Sequence, residues 1–290
     1  MKRRAIHRLA LAACGMLLHG AARADTRAAA PALWQDIEHA AQGRLGVAVI
    51  DTQTGTLTGH RLDERFPMCS VFKWLAAAHV LHRVDRGVER LDRALAIDRA
   101  ALLPWSPVTE QHADASLPLS ALCEAAVAMS DNAAANLILQ TLGGPEGLTR
   151  FARRLGDPVT RLDRWEPDLN TATPGDARDT SSPRAMAQLL QRCVLGEVLS
   201  AGGRRQLAQW LQATTTNRKR LGAGLPASWR LGSKTGTGAH GTTNDVGIYW
   251  PPGRAPLVVA LFLTESQASL ETREAALARV AGAVMGHFAR

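Results

Sequence analysis

The sequence predicts an α+β fold: an antiparallel sheet flanked by helices, built from both ends of the chain, with an all-helical domain inserted between them. Three observations carry this expectation. Strand-like runs occur near the start, in "RLGVAVIDTQTGTLTGHRL" (Arg44–Leu62), and return only near the end, in "WRLGSKTG", "NDVGIYW" and "PLVVALFLTE". The stretch from Pro67 to about Leu211 reads mainly as helix. An amphipathic helix from about Ala268 to Phe288 closes the chain. Residues 25–66 and 213–290 are therefore assigned to an α/β domain and 67–212 to the helical one, with a cleft between them where small-molecule pockets usually form.

Taken in order, a helix is expected around Ala30–Gln42, then two strands joined by a Thr/Gly turn. Apolar periodicity places helices at 71–86, 119–128, 132–142, 145–155, 183–195 and 203–212. Loops rich in proline and glycine separate them, notably "LLPWSPVTEQHADASLP" and "RWEPDLNTATPGDARDTSSP". The loop at 164–179 is long for a plain connector, and such loops are more often functional than accidental.

The opening "MKRRAIHRLALAACGMLLHGAARADT" stands apart from this core. Lys2, Arg3 and Arg4 form a basic region, Leu9–Leu18 an apolar one, and "ARA" at Ala22–Ala24 a small-residue cleavage site. The apolar run is too short for a membrane anchor. It reads as an export signal at 1–24, cleaved after Ala24, for delivery to the periplasm by the Sec or twin-arginine route. "LAAC" at Leu11–Cys14 is a weaker lipoprotein-like alternative.

Export changes the meaning of the net charge of +8. Residues 1–24 carry five of the 34 Lys/Arg and none of the 26 acids, so the rest of the chain holds 29 basic against 26 acidic residues, a net of +3. No basic patch interleaved with aromatics marks a nucleic-acid partner. After the leader three cysteines remain, Cys69, Cys123 and Cys193, an odd number that makes no disulfide scaffold. Cys69 reads as a small buried filler rather than a nucleophile. His79 and His82 in "HVLH" share a helix face but have no third ligand at metal spacing, and are read as surface or core-edge residues. No metal or cofactor is expected.

One stretch does not fit a plain core helix. In "MCSVFKWLAAAHVLHRV" (68–84), Ser70 stands at the helix start and Lys73 one turn later, among apolar neighbours. A serine hydroxyl is a weak nucleophile until a base takes its proton, and desolvation lowers a lysine's pKa toward that of a base. The helix N-terminus adds N–H groups and positive potential where an oxyanion would form. Further along, Ser130 lies at a loop–helix junction where it or Asp131 caps the helix. Glu166 and Asn170, four apart in "WEPDLN", can converge on one water. "KTGTG" (Lys234–Gly238) suits a strand edge along the cleft, with Gly236 allowing close backbone approach.

Together "SVFK", "SDN", "WEPDLN" and "KTGTG" resemble the class A serine β-lactamases in order and spacing, across nearly the whole chain after the leader. The resemblance implies the serine β-lactamase/DD-peptidase-like fold and β-lactam ring opening through an acyl-enzyme. It assigns Ser70 as nucleophile, Lys73 and Glu166 as bases, Ser130 as proton relay to the leaving nitrogen, and Asn170 as orienter of the hydrolytic water. The N–H groups of Ser70 and Thr237 would form the oxyanion hole. Asn132 would bond the substrate's side-chain amide; Lys234, Thr235, Thr237, Thr216 and Arg220 would hold its carboxylate; Trp105 would wall the cleft mouth, unless it packs as local core. Asp131 would brace loops, Arg164 and Asp179 would close the 164–179 loop, and Glu166–Pro167 would be cis. A monomer acting on small molecules, without stable membrane association, is expected.

Departures are informative. Some relatives carry an arginine on the strand after the lysine motif, absent from "HGTTND" here, which makes Arg220 the substitute. Cys123 faces Ala77 where some relatives have a second cysteine, and Cys69 would meet Gly238 where certain carbapenem-hydrolysing members have one. Asp168 replaces the usual glutamate. The rival readings are a penicillin-binding DD-peptidase and a β-lactam sensor, both acylated but slow to deacylate; Glu166 with Asn170 argues against them.

Overall fold

The computed structural model describes residues 32–288. The leader, its cleavage site after Ala24 and Cys14 lie outside them. Helix α1 (32–40) leads into β1 (Arg44–Asp51) and β2 (Thr56–His60). After the short β3 (Phe66–Pro67), a 3-10 turn at Cys69–Val71 opens α2 (Phe72–Asp85). Then come β4 (Ala94–Ala96), β5 (Ser116–Pro118), α3 (Leu119–Ala128), α4 (Asn132–Thr141) and α5 (Gly144–Arg154). The chain continues through β6 (Thr180–Ser181), α6 (Pro183–Val194) and α7 (Ala201–Gln212), and ends with β7 (Arg230–Thr237), β8 (Thr243–Trp250), β9 (Leu257–Thr264) and α8 (Leu270–Phe288).

The two chain ends share one five-stranded antiparallel sheet in the order β2-β1-β9-β8-β7. Its period-two side-chain alternation sorts residues onto two cores. Val47, Val49, Val259, Leu261, Leu263 and Tyr249 face Trp34 and Ile37 of α1 and Leu277 and Val280 of α8. Ala48, Ile50, Val258, Ala260, Phe262, Val246 and Ile248 face the other way, onto a core shared with Phe72, Trp74 and Leu75 of α2 and with α3, α6 and α7. The strand β9 is buried along its whole length, which explains its unbroken apolar run "LVVALFLT".

Helix starts follow their caps. Asp131 accepts from Ala134 N at 2.8 Å, Ser182 from Ala185 N at 3.2 Å with Pro183 at the first helical position, and Ser200 from Gly203 N at 3.1 Å. The Ser200 cap starts α7 at Ala201, two residues before the apolar pattern suggests, because the cap draws into the first turn Gly202 and Gly203, which as poor helix formers give no helical signal in the sequence. Two small ladders escape the sequence reading: β3 pairs β6 (Phe66↔Ser181) and β4 pairs β5 (Leu95↔Leu117). Two- and three-residue strands are too short to show alternation. The first matters, because Met68 N continues it to Asp179 O at 2.9 Å and ties the segment before Ser70 to the end of the 164–179 loop.

His79 corrects an expectation. It is a core residue, 4% exposed, its ring stacked on Phe151 at 4.2 Å, with Arg154 Nη2 3.3 Å from Nε2. Apolar periodicity of α2 turns this position inward regardless of its polarity. Burial, and then the neighbouring Arg154, push its pKa down to about 3. In the unfolded chain an imidazole titrates near 6.5, so below that pH the unfolded state binds a proton that the folded state refuses. Stability contributed by the neutral ring is present above pH 6.5 and is lost as pH falls toward 3, by about 2 kcal/mol at pH 5. Urea midpoints should therefore drop between pH 7 and 5 in the wild type and drop less in His79→Leu; equal drops would contradict this origin.

Candidate active site

Cys69, in the left-handed region at φ 46°, turns the chain out of β3 and sets Ser70 in the 3-10 turn that opens α2. Lys73 follows one helical turn later and is fully buried; Ser70 is 8% exposed. The Ser70 hydroxyl donates to Glu166 Oε1 at 3.1 Å, and Lys73 Nζ lies 2.9 Å from the same oxygen. Lys73 also donates to Ser130 O at 2.9 Å and Asn132 Oδ1 at 2.6 Å, so three acceptors match the three N–H bonds of an ammonium. Burial pushes the Lys73 pKa below the ordinary lysine range, and the Glu166 charge offsets part of that push. The sequence pairs serine with lysine directly. In the structure the carboxylate accepts the hydroxyl, and Lys73 is linked to it through the shared oxygen.

Glu166 is carried by the 164–179 loop, with a cis Glu166–Pro167 peptide followed by a 3-10 turn at Asp168–Asn170. Asn170 Nδ2 donates to Glu166 Oε2 at 2.5 Å. The expected neck is present: Arg164 Nε donates to Asp179 Oδ2 at 2.6 Å, while Asp179 Oδ1 accepts from Asp163 N and Arg164 N. A residue the sequence reading passed over completes the support. Asn136 Nδ2 donates to Glu166 O at 2.9 Å, and Asn136 Oδ1 accepts from Glu166 N at 3.1 Å. The signal lay in "NAAAN": Asn132 and Asn136 are four apart, hence on one face of α4.

Ser130 adopts φ 62°, and its hydroxyl accepts from Lys234 Nζ at 3.0 Å. Lys234 also donates to Thr235 O at 2.7 Å and is fully buried. Burial, then the Lys73 charge, push its pKa well below the ordinary range. Asp131, rather than Ser130, caps α4, and it braces the 105–109 loop by accepting from Val108 N and Thr109 N, both at 2.9 Å. Asn132 Nδ2 donates to Pro104 O at 2.8 Å. The Trp105 ring is 65% exposed and tethered by Nε1 to Met129 O at 3.1 Å, so it is not local core.

The "KTGTG" segment ends β7, an outer strand of the sheet. A Cβ on Gly236 would lie 2.5 Å from Met68 O, and one on Gly238 would lie 2.6 Å from Cys69 Sγ and 2.7 Å from Asn170 O. Both glycines are required for β7 to approach the Ser70 turn and the Glu166 loop. Thr216 and Thr235 share a hydrogen bond at 2.6 Å. Arg220 is 4% exposed; its Nη1 donates to Gly236 O at 3.1 Å and Asn244 O at 2.9 Å, and its Nη2 to the Thr237 hydroxyl at 2.9 Å. Arg218 and Lys219 beside it are exposed. Asn244, another residue not singled out from sequence, donates from Nδ2 to Pro67 O at 2.9 Å and Met68 O at 3.1 Å, holding the approach to Ser70.

The three cysteines Cys69, Cys123 and Cys193 are buried and unpaired with one another. Burial, and then Glu166, hold the Cys69 thiol far above its ordinary pKa, which suits a filler and not a nucleophile. The site thus brings together a hydroxyl, a buried carboxylate, two buried lysines and an arginine lined along one strand end.

Comparison with known proteins gives this arrangement its family. A family model described as the beta-lactamase enzyme family matches residues 32–288. The chain is 43% identical to beta-lactamase AST-1 of Nocardia asteroides, over 98% of this chain and 95% of that one. It is 47% identical to the carbapenem-hydrolyzing beta-lactamase KPC of Klebsiella oxytoca, over 82% of each chain. Among solved structures, an ancestral class A β-lactamase superposes with a TM-score of 0.88 at 56% identity, over 89% of this chain and 99% of that one. With its fold, its motifs in order and these similarities in agreement, the chain belongs to the class A β-lactamases, a family of serine enzymes that hydrolyse β-lactams.

Proposed function

We propose that this enzyme opens β-lactam rings by acylating Ser70 and then hydrolyses the ester with water activated by Glu166. The observation that carries this reading is the convergence of Ser70 Oγ and Lys73 Nζ on Glu166 Oε1, at 3.1 and 2.9 Å. A base in direct contact with the serine hydroxyl removes its proton as Oγ attacks the lactam carbonyl carbon. The tetrahedral oxyanion is received by the N–H groups of Ser70 and Thr237. As the C–N bond breaks, Ser130, whose hydroxyl is held by Lys234, gives its proton to the departing nitrogen and is reprotonated by Lys73, which takes from Glu166 the proton removed from Ser70 and so leaves Glu166 ionised for the second step. Glu166 then takes a proton from a water oriented by Asn170, hydroxide attacks the ester, and Ser70 leaves as the alcohol with that proton restored.

The substrate carboxylate is read as bound by Lys234, Thr235, Thr237 and Arg220, with Thr216 positioning Thr235. Asn132 holds the side-chain amide, and Trp105 covers the mouth. All proton transfers have a side chain to carry them, so the reaction as written uses no metal or cofactor. The cleft is read as the junction of the α/β domain (25–66 and 213–290) with the helical domain (67–212). The leader supports an exported, periplasmic enzyme. Among the described residues no helix is long and apolar enough to cross a membrane. A monomer without stable membrane association is part of the proposal.

The test is ring opening of benzylpenicillin by the purified protein, followed by loss of ultraviolet absorbance. Steady turnover of hundreds of equivalents per protein is expected. A single equivalent consumed and then a halt would replace the hydrolase with a penicillin-binding protein or sensor.

A further inference from the structure

Resting on the reading of Arg220 as a carboxylate contact, we infer that Asp245 and Tyr249 of β8 form a clamp that positions Arg220, with Asp245 a positioning residue for substrate binding. The two side chains are four residues apart on the sheet face that also carries Trp229 and Leu231. The segment containing Arg220 crosses that face. Asp245 Oδ2 accepts from Leu221 N at 3.0 Å, and the Tyr249 hydroxyl donates to Leu221 O at 2.5 Å. Both backbone polar groups of the residue after Arg220 are therefore held by side chains of one strand. The same strand supplies Asn244 O, which accepts from Arg220 Nη1 at 2.9 Å.

This arrangement is more than a satisfied loop. Asp245 stands directly opposite Thr235 in the β7–β8 ladder and is fully buried, with the Leu221 N–H and the Ser233 hydroxyl as the neighbouring donors that favour its charged form. A fully buried carboxylate is costly, and an uncharged acceptor would serve a purely structural backbone contact with less penalty. A negative charge is justified by what surrounds it: the Arg220 guanidinium and the Lys234 ammonium are the cations acting on it, and Tyr249 is the other titratable group facing it. On the far side of Arg220, Glu274 of α8 lies 3.3 Å from Nη2, with Arg273 beside it. Arg220 is thus fixed by Asp245 both through the Leu221 backbone and through the attraction of its charge for the guanidinium, and is braced by Glu274 through the side chain. Its Nη2 is left pointing at the Thr237 hydroxyl. Burial raises the Asp245 pKa to about 6, and the Arg220 guanidinium opposes that push by favouring the carboxylate.

A double-mutant cycle on the full enzyme tests this, with steady-state hydrolysis of benzylpenicillin. Asp245→Asn is expected to raise KM about fivefold to tenfold with kcat within twofold of wild type, and Arg220→Ala to raise KM at least as much. In the Arg220→Ala background Asp245→Asn should add less than twofold, because the residue acts through Arg220. Tyr249→Phe, which removes only a hydroxyl, should raise KM in the same direction and likewise lose its effect in that background. It keeps the test open should Asp245→Asn fail to fold. If Arg220→Ala leaves KM unchanged, the carboxylate reading of Arg220 falls. If Arg220→Ala raises KM but the Asp245 and Tyr249 effects are absent or multiply fully with it, the clamp alone is overturned.

Discussion

Ser70→Ala is expected to lower kcat/KM for benzylpenicillin by on the order of 10⁵-fold or more, with folding intact. Loss of a catalytic serine in comparable serine hydrolases costs about 10⁶-fold, the remainder coming from binding and oxyanion stabilisation. The structure argues that the substitution is otherwise mild. Glu166 Oε1 loses the Ser70 donor but keeps Lys73 at 2.9 Å, and Oε2 keeps Asn170. No buried charge is left without a partner, which is the usual route to a large loss of stability. Thermal melting should therefore change little while hydrolysis disappears. Activity within 10²-fold of wild type would mean that another group attacks the ring.

Glu166→Gln is expected to lower kcat by about 10³-fold, within the 10²–10⁴ range of a general base. An amide cannot accept the proton of the attacking water, so hydrolysis of the ester becomes the slow step and the acyl-enzyme accumulates. Apparent KM then falls along with kcat, and kcat/KM suffers much less than kcat. The direct contact between Ser70 Oγ and Glu166 Oε1 adds a finer expectation: the acylation rate, read in a single turnover, should also drop, with Lys73 carrying what remains. Equal losses in kcat and kcat/KM with KM unchanged would assign Glu166 to the first half-reaction only.

The fold was legible where periodicity is strong. The run "PLVVALFLTE" has the length and β-branched content of a buried strand, and β9 occupies the centre of the sheet with both faces covered. The helices that pack against it show the 3.6-residue pattern, while their caps were less legible: Asp131 stood open against Ser130, Ser182 and Ser200 were not singled out, and α7 begins two residues before its apolar pattern. What escaped was what has no period. The β3–β6 ladder is two residues long, yet it delivers Met68, and hence Ser70, to the end of the Glu166 loop. His79 lies deeper than the surface or core-edge position expected of it, because a polar residue on an apolar helix invites an outward reading, while the stacking partner Phe151 lies far along the chain.

The same division holds in the site. Ser70, Lys73, Ser130, Glu166 and Lys234 could be singled out because their chemistry is rare in such company, a lysine in an apolar helix above all. Asn136 and Asn244 were passed over because an asparagine that holds backbone looks like any other polar residue. Their value lies in partners 30 and 177 residues away, which no local pattern encodes. The order of contact around Ser70 is of the same kind. Sequence spacing gives Ser70 and Lys73 one helix face, but only the packing of the 164–179 loop sets Glu166 between them.

The intact mass of the mature protein, sampled over time in excess benzylpenicillin beside Glu166→Gln, tests the acylation–deacylation cycle most directly. Wild type should consume the drug while carrying little adduct, and the variant should retain one drug mass, located on Ser70 by peptide mapping. Wild type that itself stays acylated for many minutes would contradict the role given to Glu166, and with it the hydrolytic half of the mechanism.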